Sequence, residues 1–141
     1  MPLQPEQIDH INIVNWFNYQ YPELADDFHH FANERKCSPQ QGRFFKRMGV
    51  KKGVADFFLA LPCGNYHGLW IELKVGKGKL SVEQSEFLYR KNERGYLAIA
   101  VWGFDAAIET IKTYINSSST LCFIDEPKNV INSCPSCWSN L

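Results

Sequence analysis

The sequence predicts an α/β domain, a small mixed sheet with helices packed against it, and three observations carry that prediction. Gly53 to Lys74 holds two strand-like segments: the apolar run Phe57-Phe58-Leu59-Ala60-Leu61 and, after the turn residues Pro62-Cys63-Gly64-Asn65, the run Leu69 to Lys74. Tyr96 to Trp102 is another apolar run of strand length. Amphipathic helical patterns lie before, between and after these strands. With 141 residues, 45% of them hydrophobic, the chain can bury one real core.

Pro5 to about Gln20 reads as the first helix. Proline suits a first turn, Glu6 and Asp9 complement the positive helix start, and Pro22 marks the end. Ile8, Ile11, Val14, Phe17 and Tyr21 recur at three- and four-residue steps, with Ile13 and Trp16 widening the apolar face. Leu24 to Asn33 reads as a short strand or irregular segment. Its His29 and His30 would point to opposite faces of a strand, which argues against one shared ion. Pro39 to Met48 is a short helix ending at Gly49, and Arg43, Lys46 and Arg47 fall three or four residues apart on it.

Along Leu69 to Lys74, alternation places Trp70, Glu72 and Lys74 on one face and Leu69, Ile71 and Leu73 on the other. If the two strands pair as a hairpin, Asp56 comes near Glu72. Two acids and a lysine would then make a compact site for a divalent cation and a phosphate. The connection Val75 to Lys79 carries Lys77 and Lys79 but lacks the GxxxxGK[ST] spacing of a nucleotide loop, so it fits a DNA contact better than an NTP site. Ser81 to Arg94 is the clearest helix, opened by an S-x-x-Q capping box at Ser81 and Gln84 and closed by Gly95. Phe104 to Asn116 is a final amphipathic helix built on Ala107, Ile108, Ile111 and Ile115.

Net charge is zero, yet its distribution is uneven. Met1 to Glu34 contains acids and no Lys or Arg, whereas Arg35 to Lys52 contains seven cations, Lys51 and Lys52 included, and no acid. Such a patch either holds phosphates or is a solvated surface. Placed just before the acid pair, it favours nucleic acid. No run reaches the length of a membrane span and no leader pattern is present, so a cytoplasmic protein is expected. Five cysteines without an export signal argue against a disulfide framework. Cys134 and Cys137 form a CxxC, half of a structural zinc site; Cys37, Cys63, Cys122, a histidine or a second subunit would have to complete it, and reduced thiols are the simpler reading.

Asp56, then Glu72-Leu73-Lys74 after a short hairpin, resembles the PD-(D/E)xK nuclease arrangement. The wider string, Gly49-Val50-Lys51-Lys52-Gly53-Val54-Ala55-Asp56, then Trp70 to Lys74, then Gly78-Lys79-Leu80-Ser81-Val82-Glu83-Gln84, resembles its VRR-NUC branch. Ala55 departs from the proline usual before the acid. The resemblance covers about residues 5 to 116 and implies a restriction-endonuclease-like core over 1–120, with 121–141 a tail that is part of the same unit or an appendage. It implies Asp56, Glu72, Lys74 and Gln84 as catalytic residues. Glu6, or Asp9 one turn on, would join Asp56, Glu72 and the Leu73 carbonyl in holding Mg²⁺ or Mn²⁺. Asn33 would fall in a loop lining the nucleic-acid groove. Arg43, Lys46, Arg47, Lys51, Lys52, Lys77 and Lys79 would contact DNA. It further implies hydrolysis to a 5′-phosphate and a 3′-hydroxyl, a two-fold dimer, and branched substrates such as four-way junctions. Two rivals stay open at this level: a DNA-binding module that keeps the fold without cutting, and a zinc-stabilised interaction protein centred on the tail.

Overall fold

The structure, a computed structural model, describes residues 2–32 and 37–117. Asn33 and the 121–141 tail, with its Cys134–Cys137 pair, lie outside the described residues. In chain order the elements are helix α1 (Pro5–Gln20), a 3₁₀ turn (Pro22–Asp27), strand β1 (Phe28–His30), helix α2 (Pro39–Arg47), strands β2 (Phe57–Leu59) and β3 (Leu69–Lys74), helix α3 (Val82–Glu93), strand β4 (Leu97–Trp102) and helix α4 (Phe104–Asn116). The sheet runs β1-β2-β3-β4. β1, β2 and β3 are antiparallel neighbours, and β4 lies parallel to β3. A parallel neighbour needs a crossover, and α3 supplies it. The sheet is thus mixed, as the sequence predicts.

Strand alternation divides the core in two. Leu69, Ile71 and Leu73 enter a cluster with Ile13 and Phe17 of α1 and Ala107, Ile108, Ile111 and Tyr114 of α4. Trp70 faces the other way, into a cluster with Phe87 and Leu88 of α3. So α1 and α4 share one face of the sheet, and α3 covers the other. At the edge of the α4 layer, Tyr114 is fully buried and its hydroxyl donates to the Leu61 carbonyl at 2.7 Å. Tyr114→Phe is expected to cost about 1–2 kcal/mol in chemical denaturation, because the partly buried carbonyl loses its donor. An unchanged midpoint would show that water replaces the hydroxyl without loss.

Two expectations need correction. The apolar face of helix α1 is narrower than its periodicity suggests: Ile13 and Phe17 are fully buried and Val14, Trp16 and Tyr21 pack against the core, whereas Ile8 and Ile11 stay 43% and 46% exposed. Aromatic packing anchors the buried part of that face: Phe17 stacks on Phe28 at 4.2 Å between centroids, and Phe28 on Phe57 at 5.2 Å. Strand β2 is also shorter than the apolar run, ending at Leu59. Ala60 turns out of the β2–β3 ladder and donates its N–H to Asp27 O at 2.9 Å.

Candidate active site

Asp56 stands one residue before β2, and the β2–β3 register (Phe57 opposite Ile71) puts it opposite Glu72 when continued by one step. Directly opposed residues of an antiparallel pair project to the same face. The backbone ladder stops at this point, and the Asp56 side chain extends it: Oδ2 accepts the Leu73 N–H at 2.8 Å. The main chain of Asp56 is held as well, its carbonyl accepting from Phe31 N at 2.8 Å. Asp56 is therefore fixed at both ends. Within an extended strand a residue's N–H and C=O point to the same edge. The Leu73 carbonyl accordingly lies on the Asp56 side, while the Lys74 carbonyl points to β4 and accepts from Gly103 N at 2.9 Å.

Glu72 is only 2% exposed. Its Oε1 accepts from Lys74 Nζ at 2.9 Å and from Gln84 Nε2 at 2.5 Å. Its Oε2 is buried without a hydrogen-bond partner among the described residues. Burial pushes its pKa up to about 7, reinforced by Asp56 and, less, by Glu6, against the pull of Lys74. An unsatisfied, buried carboxylate oxygen beside a second acid is costly unless a cation or proton occupies the gap.

Gln84 serves two roles at once. Its Oε1 accepts from Ser81 N at 2.9 Å while its backbone N–H donates to Ser81 Oγ at 3.1 Å, the reciprocal capping box. Its Nε2 remains for Glu72. The start of α3 is pulled close to the chain leading into Asp56: a Cβ added to Gly53, whose φ is +77°, would sit 2.6 Å from the Glu83 backbone. Glycine is required there on both counts.

On α1, Glu6 acts electrostatically on Glu72, whereas Asp9 is not among the groups that shift it. One turn beyond Glu6, His10 brings Nε2 to 3.8 Å from Asp56 Oδ2, and its ring lies 4.7 Å from that of His30. Sequence reasoning missed His10, although its i,i+4 spacing from Glu6 was a usable signal. Desolvation of the His30 ring, helped by His10 and opposed by Asp56, lowers its pKa below the usual histidine value. His29 sits on the opposite side of the same strand, exposed, so the two neighbours do not converge.

No three His, Cys, Asp or Glu side chains among the described residues gather tightly enough to hold an ion by themselves. The donor set that does fit a small divalent cation is Asp56, the open Glu72 oxygen and the Leu73 carbonyl, because Mg²⁺ keeps several waters and needs few protein ligands. Arg43, Lys46, Arg47, Lys51, Lys52, Lys77 and Lys79 are all exposed. No helix among the described residues is long and apolar enough to cross a membrane.

An acid at the head of one strand facing Glu-x-Lys on its antiparallel neighbour, in a mixed sheet flanked by helices, is the layout of a nuclease-like α/β fold. No family model matches the sequence, and no curated protein does. A solved structure described as a VRR_NUC domain protein superposes with a TM-score of 0.69 at 32% sequence identity, over 83% of this chain and 93% of its own. The chain belongs to the VRR-NUC family of nuclease domains.

Proposed function

We propose that this chain is a divalent-metal-dependent DNA endonuclease acting on branched or otherwise irregular DNA. The observation that carries the proposal is the Glu72 carboxylate: one oxygen is committed to Lys74 and Gln84, and the other is buried beside Asp56 with no hydrogen-bond partner among the described residues. Asp56, Glu72 and the Leu73 carbonyl would hold Mg²⁺ or Mn²⁺, with Glu6 completing the set directly or through bound water. Once bound, the cation would acidify water and neutralise phosphate charge.

The remaining steps belong to side chains. Lys74, tethered by Glu72, orients the attacking water and offsets charge gathering on the phosphate oxygens. Gln84, fixed by its cap, holds the position of that water or of the scissile phosphate. Products would carry a 5′-phosphate and a 3′-hydroxyl. The exposed cations between Arg43 and Lys52, with Lys77 and Lys79, bind flanking phosphates. A two-fold dimer would present two such sites at fixed separation, suited to paired nicks.

The test compares duplex, flap and four-way-junction DNA in Mg²⁺, in Mn²⁺ and in EDTA. Cleavage is expected only with metal, fastest on the branched substrates, and absent in Lys74→Ala. DNA binding with no metal-dependent cleavage under any of these conditions would make the chain a binding module and end the proposal.

A further inference from the structure

Helix α2 stands apart from the layers that bury the rest of the chain. No α2 residue is buried, and only Gly42 and Phe45 are even partly covered, which marks the inward side. At 100° per residue, the opposite side carries Arg43 and Arg47 with Phe44 and Met48 in the adjoining stripe. Phe44 is 58% exposed and Met48 64%, with Val50 just beyond them at 55%. Large apolar side chains on an outward surface, set among cations, call for a partner that is both flat and negatively charged.

The charge pattern narrows the choice. From Arg35 through Ala55 the sequence contains no acid. A protein surface complementary to this patch would have to pair an apolar pocket with a ring of acids. An unstacked nucleic-acid base offers the apolar face and its own phosphates together. The chain leaving α2 passes the Glu83 backbone at Gly53 and reaches Asp56, so the patch lies directly upstream of the acid pair.

We infer that Phe44, backed by Met48, is a stacking wedge for unpaired bases, with Arg43 and Arg47 holding the adjoining phosphates. This rests on the nuclease reading and deepens it. The substrate class becomes DNA with locally unstacked bases, selected by an element outside the metal-binding residues.

The test measures binding in EDTA, where no cutting occurs, to a duplex and to the same duplex with an internal bubble carrying 2-aminopurine. Phe44→Ala is expected to weaken bubble binding about tenfold and duplex binding by less than about twofold, as loss of one base–aromatic stack implies. It should also abolish the change in 2-aminopurine fluorescence, and Phe44→Tyr should restore both. Arg43→Ala should weaken both substrates alike and flatten the salt dependence by about one phosphate contact. An equal loss on both DNAs for Phe44→Ala, or no loss on either, overturns the wedge. So does sedimentation showing a wild-type dimer that Phe44→Ala dissolves, which would assign the patch to a second copy of the chain. If the wild type cuts DNA with metal and only the Phe44 result fails, the nuclease reading stands; if no DNA is bound or cut, both fall.

Discussion

Glu72→Gln and Asp56→Ala are each expected to lower metal-dependent cleavage by about a thousandfold or more, about 4 kcal/mol in the barrier, and to part company in stability. Both remove a carboxylate that would hold the cation, so the chemical step suffers alike. Their structural jobs differ. The Asp56 Oδ2 satisfies the buried Leu73 N–H, and alanine leaves that donor without its acceptor. A cost of about 1–3 kcal/mol follows. Glutamine at position 72 keeps an oxygen for Lys74 and Gln84 while removing a charge that burial disfavours. Glu72→Gln should therefore melt no lower than the wild type near neutral pH, while Asp56→Ala melts clearly lower. Single-turnover cleavage and thermal melts on the same preparations provide both readouts. Cleavage within tenfold of wild type in Glu72→Gln would remove Glu72 from the site.

Much of this site was legible because its parts are close in sequence. Glu72 and Lys74 sit on β3 and Asp56 directly precedes its partner β2, so alternation and one hairpin suffice to bring them together. Ser81 and Gln84 announce their cap through spacing alone, and the structure adds only that the remaining amide reaches Glu72. Helix α1 is the contrasting case. Periodicity puts Ile8 and Ile11 on the same apolar face as Phe17, yet burial falls on Ile13 and Phe17, where Phe17 meets Phe28 and through it Phe57, which no local pattern connects to the helix. The same long-range packing delivers His10 and His30 to Asp56. The early end of β2 was hidden for another reason: Ala60 leaves the β3 ladder and gives its N–H to Asp27, a pairing that no local pattern announces.

The buried acid also fixes a pH dependence whose sign is unusual for a carboxylate. Burial, then Asp56, raise the Glu72 pKa from 4.5 to about 7 in the folded chain. Between those values the folded state binds more protons than the unfolded state, so stability falls as pH rises through the window. Below it both states are protonated at Glu72 and there is no cost; above it the full cost, about 3 kcal/mol, is present. Other carboxylates titrate over part of the same range, so the informative quantity is wild-type stability minus that of Glu72→Gln, in EDTA, followed by denaturant titration at each pH. That difference should decline toward the wild type's disadvantage from pH 4.5 to about 7 and then level off. Adding Mg²⁺ or Mn²⁺ above the window should recover stability in the wild type and far less in Glu72→Gln, because a cation binds the charged carboxylate and so reverses its cost. A difference that stays flat with pH would mean that Glu72 keeps its charge comfortably without metal, and the reason for a cation at that oxygen would be gone.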